Sequence, residues 1–169
     1  DNTLVIFTSD NGPEITRKRT NNKPAVMAVG AYDRLQKYGH ASMGPLRGIK
    51  YEAWEGGHRL PFIARWPGTI KPGAVSGALL CLTDLLATCA AIVGETLPAS
   101  AGEDSWNALP VLLNGKGRRS SAVLESAGVP VAVREGDWVW INASSSLKPE
   151  PDWFQQERGY TTNPHPGQL

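Results

Sequence analysis

Two neighbouring side chains near the start of the sequence could bind a metal ion. Asp10 and Asn11 closely follow the apolar run NTLVIF at residues 2–7, which is typical of a buried strand. Sheets of α/β proteins place their sites at the carboxyl ends of strands. A carboxylate beside a carboxamide offers the oxygen ligands that Ca²⁺ or Mg²⁺ prefers. Asp-Asn-Gly is also good turn chemistry, so the sequence leaves a structural Asx turn open as the alternative.

Lys50 is the second candidate. It lies in the segment GPLRGIKYEAWEGGHRLPFIARWPG at residues 44–68, just before a Trp-Glu-Gly-Gly turn. A lysine ammonium is a compact charge with three donors, which suits an anionic oxygen. Most lysines are solvated surface residues, however, and spacing alone does not separate the two interpretations. His58 in the same segment has no visible partner, so the sequence favours a structural role for it.

The other chemistry-bearing residues form no catalytic set. GxSxG, P-loop and HExxH motifs are absent, so these residues hold no complete nucleophile–base arrangement. Cys81 and Cys89 lack the CxxC spacing or the nearby His of a metal site, and we expect two buried thiols. His40 and His165 also stand without supporting residues.

The charge balance argues against two classes of partner. The 169 residues carry 17 Lys and Arg against 16 Asp and Glu, a formal net charge of +1. This gives no electrostatic support for binding nucleic acid or an anionic membrane surface. No apolar run approaches the roughly 20 residues of a membrane span. The basic run Arg17-Lys18-Arg19 could favour a polyanionic glycan, but a solvated loop is the preferred interpretation.

The hydrophobic pattern predicts an α/β portion followed by a small antiparallel sheet. The elements expected in the first portion are strands at 2–8, 60–66 and 74–80, and helices at 31–38, 84–93 and from about 104 to 113. Thr83 and Gly94 are the expected cap and stop of the helix at 84–93. Asp104 or Ser105 is the expected cap of the last helix.

From about residue 120 the runs SAVLES, VPVAVRE and DWVWINA predict short strands, the last two joined by a turn at Glu135-Gly136. In the last run Trp138 and Trp140 alternate with Val139 and Ile141. Both faces are therefore apolar, and we expect both to be partly covered.

Five stretches, in this order, resemble the later part of a type I sulfatase, the formylglycine-dependent arylsulfatase family. DNTLVIFTSDNGP is similar to the family's strand and metal loop, and residues 44–68 to its lysine loop, often PLRGGK, and the EGGxRxPFIxxWPG that follows. LTDLLATCAAIVG resembles the helix usually written TDLLPTxxxLxG. AGEDSWNALPVLLNG resembles the segment before the C-terminal subdomain, and VAVREGDWVWI the hairpin often ending RxGxWKLI.

The resemblance implies an α/β, alkaline-phosphatase-like fold and the hydrolysis of sulfate esters. Residues 1–115 would belong to the catalytic domain and 116–169 to a partial C-terminal antiparallel subdomain. In this family a formylglycine made from Cys or Ser attacks sulfur, while Ca²⁺ and basic side chains neutralise and hold the sulfate. Asp10 and Asn11 match two calcium ligands, and Lys50 matches the lysine that contacts the sulfate. The implied partners are sulfated small molecules or sulfated glycans, and the family is periplasmic, secreted or lysosomal.

Departures from the family pattern keep two alternatives open. The Cys-x-Pro-Ser-Arg nucleophile motif, the early Asp pair and the upstream His and Lys residues are absent from these residues, Ile49 replaces a usual Gly, and Val139 a frequent Lys. Since the chain opens on Asp1 without Met, we expect a segment of a longer protein that is inactive alone. The alternatives are a phosphodiesterase or phosphonate hydrolase of the same superfamily, whose two-zinc members often show Asp-His-Gly, and a non-catalytic truncated homologue.

Overall fold

A computed structural model describes residues 2–13, 38–40, 42, 44–46, 50, 52–126 and 129–141. The expectations for the helix at 31–38 (apart from Tyr38), the basic run at 17–19 and position 49 lie outside the described residues. The chain divides into two compact units. Unit 1 comprises residues 1–8, 61–122 and 135–137, and unit 2 comprises 9–60, 123–134 and 138–169. This interleaved division does not test the predicted domain boundary after residue 115, which stays a prediction.

Strand β1 (Val5–Thr8), the short helix α1 (Glu55–His58) and strand β2 (Phe62–Arg65) follow one another along the chain. The structure confirms both predicted strands and pairs them antiparallel, from Val5 opposite Arg65 to Thr8 opposite Phe62. Because β1 ends where β2 begins, the segment after β1 and the segment before β2 depart from neighbouring positions. These two segments carry Asp10, Asn11 and α1.

Helix α2 (Asp84–Val93) has the predicted bounds, and Gly94 ends it at φ 79°. Thr83 makes no side-chain cap hydrogen bond. Instead, the carboxylate of Asp84 accepts a hydrogen bond of 2.9 Å from the Cys81 amide. The expected strand at 74–80 is wrong, because these residues are described without strand structure.

Helix α3 (Leu109–Asn114) begins later than predicted. Ser105 does not cap it because its hydroxyl is used by α2. The Ser105 hydroxyl donates to the Thr83 carbonyl at 2.6 Å and accepts from the Ala87 amide at 2.9 Å. A tertiary contact therefore competes successfully with the local cap.

Asp84 is the buried polar centre of unit 1. Its side chain, 2% exposed, accepts hydrogen bonds from the Cys81 and Trp106 amides and from two guanidinium nitrogens of Arg119, at 2.5–3.0 Å. The hydrogen bond to Asp84 is also the main reason why the pKa of Arg119 is raised. Arg119 lies over the Trp106 ring at 5.5 Å. The expectation of two buried thiols is wrong for Cys89, which is exposed, while Cys81 is half-buried.

The last three strands, β3 (Ser121–Ser126), β4 (Val129–Glu135) and β5 (Trp138–Ile141), form one sheet in the order β3-β4-β5. This confirms the predicted small C-terminal sheet. The two faces of β5, both expected to be partly covered, differ in exposure. Ile141 is 6% exposed, but Trp138 and Trp140 are 71% and 47% exposed. None of the described helices is long and apolar enough to cross a membrane.

The apolar core of unit 2 lies on the covered face of this sheet. Ala132 of β4 and Ile141 of β5 are buried together with Ala53, which precedes α1. Trp54, Leu124 and Val139 pack against them. The segment leading into α1 is thereby fixed to the C-terminal sheet.

Candidate functional site

The Asp10-Asn11 loop is held by local hydrogen bonds to main-chain carbonyl oxygens. The Ser9 hydroxyl donates to the Asn11 carbonyl at 2.9 Å, and Asn11 Nδ2 donates to the Gly12 carbonyl at 2.9 Å. An Asx turn would instead use the side-chain oxygen as the acceptor. Asp10 is exposed. Among the described residues, none donates a hydrogen bond to its carboxylate or to Asn11 Oδ1.

Gly12 joins this loop to α1 through the main chain. Its amide donates to the Gly57 carbonyl at 2.7 Å. A Cβ atom at position 12 would lie 1.9 Å from the Gly56 carbonyl oxygen and 2.8 Å from Gly57 Cα. All three glycines are buried. The contact is so close that position 12 has no room for a side chain.

Lys50 contacts the same loop through its backbone. Its backbone amide donates to the Pro13 carbonyl at 3.1 Å, and the residue is half-buried. The two segments singled out by the sequence, one with Asp10 and Asn11 and one with Lys50, are thus joined by two main-chain hydrogen bonds within unit 2.

Glu55, which opens α1, carries two arginine contacts. Its Oε2 accepts from Nη1 of Arg59 at 3.2 Å, one helical turn away, and its Oε1 accepts from Nη2 of Arg134 on β4. The Arg59 side chain is 64% exposed and that of Arg134 only 23%. Sequence reasoning missed this link, because no pattern relates residues 55 and 134.

His58 ends α1, and its half-buried imidazole favours the neutral form. Among the described residues none hydrogen-bonds its buried Nε2. Burial is the main reason why the pKa of His58 lies below its ordinary value, and the Arg134 charge lowers it further. The hydrogen bond to the Glu52 backbone and the Glu55 carboxylate oppose this shift. This environment agrees with the structural role that the sequence favours.

The donor atoms of the loop suit a hard cation. Asp10 offers a carboxylate and Asn11 an amide oxygen, which are the ligand types of Ca²⁺. They supply only part of the six to eight oxygens that Ca²⁺ takes. In the part of the chain that the structure describes, no group of three or more His, Cys, Asp or Glu residues could hold a metal. Asp10 and Asn11 alone therefore complete no metal site among the described residues, and further oxygen ligands would be needed.

Comparison with known proteins identifies the family. The sequence profile of the family described as Sulfatase matches residues 1–95. The chain belongs to the sulfatase family. It is 38% identical, over 166 residues, to an N-acetylgalactosamine-6-O-sulfatase of Bacteroides thetaiotaomicron and 31% identical to human N-acetylgalactosamine-6-sulfatase. These matches cover 97% and 96% of this sulfatase chain, which spans only 30% and 29% of the two relatives.

Solved structures confirm the predicted fold of this sulfatase chain. A B. thetaiotaomicron structure, described under the metabolism of multiple glycosaminoglycans, superposes with a TM-score of 0.72 and 36% identity. It matches 97% of the sulfatase chain, which covers 32% of that structure. The PsFucS1 sulfatase from Pseudoalteromonas sp. superposes with a TM-score of 0.61 and 33% identity. This match covers 83% of the present chain and 25% of the PsFucS1 chain. The alkaline-phosphatase-like α/β architecture thus applies to this chain.

Proposed function

We propose that the full-length protein containing this chain hydrolyses sulfate esters, with Asp10 and Asn11 as calcium ligands and Lys50 as a sulfate contact. The observation that carries the proposal is the pair of main-chain hydrogen bonds, Gly12 to Gly57 and Lys50 to Pro13. The first bond joins the Asp10-Asn11 loop to α1, and the second joins it to the backbone of Lys50. Membership of the sulfatase family supports the reaction class.

The charges suit the reaction. A sulfate ester carries a negative charge, and its cleavage places further charge on the sulfate oxygens and the leaving oxygen. The Lys50 ammonium would donate hydrogen bonds to a sulfate oxygen. Asp10 and Asn11 would hold a calcium ion, which supplies positive charge beside the same group. The nucleophile, a formylglycine by family resemblance, would come from a residue outside this chain, so the 169 residues alone would be inactive.

A sulfated sugar is the proposed substrate class. Two relatives that match nearly the whole chain are named for the 6-sulfate of N-acetylgalactosamine. We therefore propose sulfated glycans or their fragments ahead of small aryl sulfates. Sulfate release from N-acetylgalactosamine 6-sulfate and from an aryl sulfate, measured in parallel on the full-length protein, distinguishes the two.

Calcium binding tests the assignment of the loop. Isothermal titration of the metal-stripped full-length protein should show Ca²⁺ binding that Asp10→Asn weakens by more than about tenfold, because affinity depends on ligand charge. Asp137→Asn is the matched control, since Asp137 is exposed in the β4–β5 turn. Equal affinities for wild type and Asp10→Asn would overturn the calcium assignment.

Turnover tests the role of Lys50. Lys50→Ala should lower kcat/KM for sulfate esters by about a hundred- to a thousandfold, the usual loss when one donor to a developing oxyanion is removed. Lys71→Ala, at an exposed loop position, should leave turnover unchanged. A full-length protein that cleaves phosphate diesters or phosphonates but not sulfate esters would replace this proposal with the superfamily alternative.

A further inference from the structure

We infer that Arg134 is a positioning residue for the Asp10-Asn11 loop, acting through Glu55 and the main-chain hydrogen bond between Gly57 and Gly12. This inference rests on the proposed function for its consequence in the reaction. Its geometric part concerns described residues of unit 2 alone.

The first step of the argument is the register between β4 and the segment that enters α1. Ala132 and Arg134 are two residues apart on β4 and so point to the same face of the strand. Ala132, 1% exposed, is in the core cluster with Ala53. Arg134 pairs with Glu55, two residues after Ala53. The Ala53–Ala132 core contact and the Glu55–Arg134 ion pair are therefore adjacent, and together they fix α1 to β4.

The second step is the close contact of α1 with the loop. Glu55 is the first residue of α1, and Gly56 and Gly57 follow directly. The Gly57 carbonyl accepts the Gly12 hydrogen bond at 2.7 Å. The main chains of α1 and the loop are in direct contact, with no side chains between them. A shift of α1 therefore cannot be accommodated by a change of side-chain rotamer at this contact. It would be passed to Gly12 and to Asn11 beside it.

The third step is the comparison of the two arginines on Glu55. Arg59 contacts the same carboxylate but caps the C-terminal end of α1 itself, so this contact stays local to α1. Its side chain is 64% exposed, and exposed ion pairs contribute little. The Arg134 and Glu55 side chains are 23% and 29% exposed, so their pair is screened less by solvent. Arg134 alone of these two arginines connects α1 to the sheet.

Hydrogen–deuterium exchange of the metal-free, full-length protein tests the geometric part. Arg134→Ala should speed exchange in the peptide that contains Gly12 by about three- to tenfold, the size of ordinary coupling between neighbouring residues. Arg59→Ala should change it less than about twofold. Unchanged exchange in Arg134→Ala, or equal effects of the two variants, would overturn the inference. Because no metal or substrate is present, this outcome is independent of the proposed function.

Calcium titration then tests the consequence for the loop. Arg134→Ala and Glu55→Gln should each weaken Ca²⁺ binding about three- to tenfold, and the double variant should be no weaker than either single variant. Arg134→Lys, which keeps the charge, should recover part of the affinity and serves if Arg134→Ala does not fold. Full additivity in the double variant, or native affinity in a folded Arg134→Ala protein, would overturn the inference. A wild-type protein that binds no Ca²⁺ would instead reject the proposed calcium site.

Discussion

The amide of Gly12 and the carbonyl of Gly57 are joined by a 2.7 Å hydrogen bond. This bond connects the loop that follows β1 with the helix that precedes β2. Both residues are buried, and Gly56 contacts Gly12 from the same helix. The geometry of the candidate site thus depends on main-chain contact at a position where no side chain fits.

The first prediction concerns this contact. Gly12→Ala should lower the free energy of unfolding of the full-length protein by about 1–3 kcal/mol, as overpacking usually does, because its Cβ would overlap the Gly56 carbonyl. Gly77→Ala is the matched control, since a Cβ there meets nothing within 4 Å. Urea unfolding of both variants provides the measurement. If the two substitutions cost the same, the close approach at Gly12 is not a constraint.

The second prediction concerns the buried ion pair of unit 1. Arg119→Met should cost about 3–5 kcal/mol of unfolding free energy, because it leaves the Asp84 carboxylate buried without its cation. The neighbouring Arg118 is exposed, so Arg118→Met should stay within about 0.5 kcal/mol of wild type. Chemical unfolding compares them. A loss below about 1 kcal/mol for Arg119→Met would mean that the two amides bonded to Asp84 suffice to hold the carboxylate.

The third prediction concerns pH. Burial lowers the pKa of His58 in the folded protein, whereas an unfolded His binds its proton near its ordinary pKa of about 6.5. The unfolded state therefore binds more protons below that pH. The His58 contribution to stability is full above the ordinary pKa and is lost as the pH falls through the lower, folded value.

His58→Asn should remove this part of the pH dependence, because its amide can still reach the Glu52 backbone but does not titrate. Unfolding midpoints in urea between about pH 8 and about pH 5 should fall less steeply for this variant than for wild type. His40→Asn, at an exposed position, should keep the wild-type slope. Parallel slopes for all three proteins would contradict the prediction.

Local signals in the sequence predicted much of the fold. The apolar run around Val5–Thr8 and the helix stop at Gly94 are local features, and the structure has them where the patterns indicate. The predicted hairpin between β4 and β5 is also present, but its turn lies at Gly136-Asp137, one residue later than predicted. Ala74–Leu80 shows the limit of such signals. An apolar run becomes a strand only when another strand pairs with it, and periodicity does not report the partner.

At the candidate site, too, local sequence features were predictable, whereas contacts between residues distant in the sequence were not. Residue types singled out Asp10, Asn11 and Lys50, but not Gly12 or Arg134. The Gly12–Gly57 bond and the Glu55–Arg134 pair join residues far apart in the chain, through main-chain atoms or a single ion pair. The one local sign was the Gly56-Gly57 doublet, which indicates a close approach of backbone as well as a turn.

The two hydrogen bonds that hold the Asp10-Asn11 loop to α1 and to Lys50, here called the junction, involve main-chain atoms only. Its bonds use the amides of Gly12 and Lys50 and the carbonyls of Pro13 and Gly57. Replacing the side chain of Asp10, Asn11 or Lys50 leaves every one of these bonds in place. Under the proposed function, variants at these positions would lose turnover while keeping this junction, so they could be used to capture uncleaved ligands in crystals and as bait when extracts are screened for the substrate.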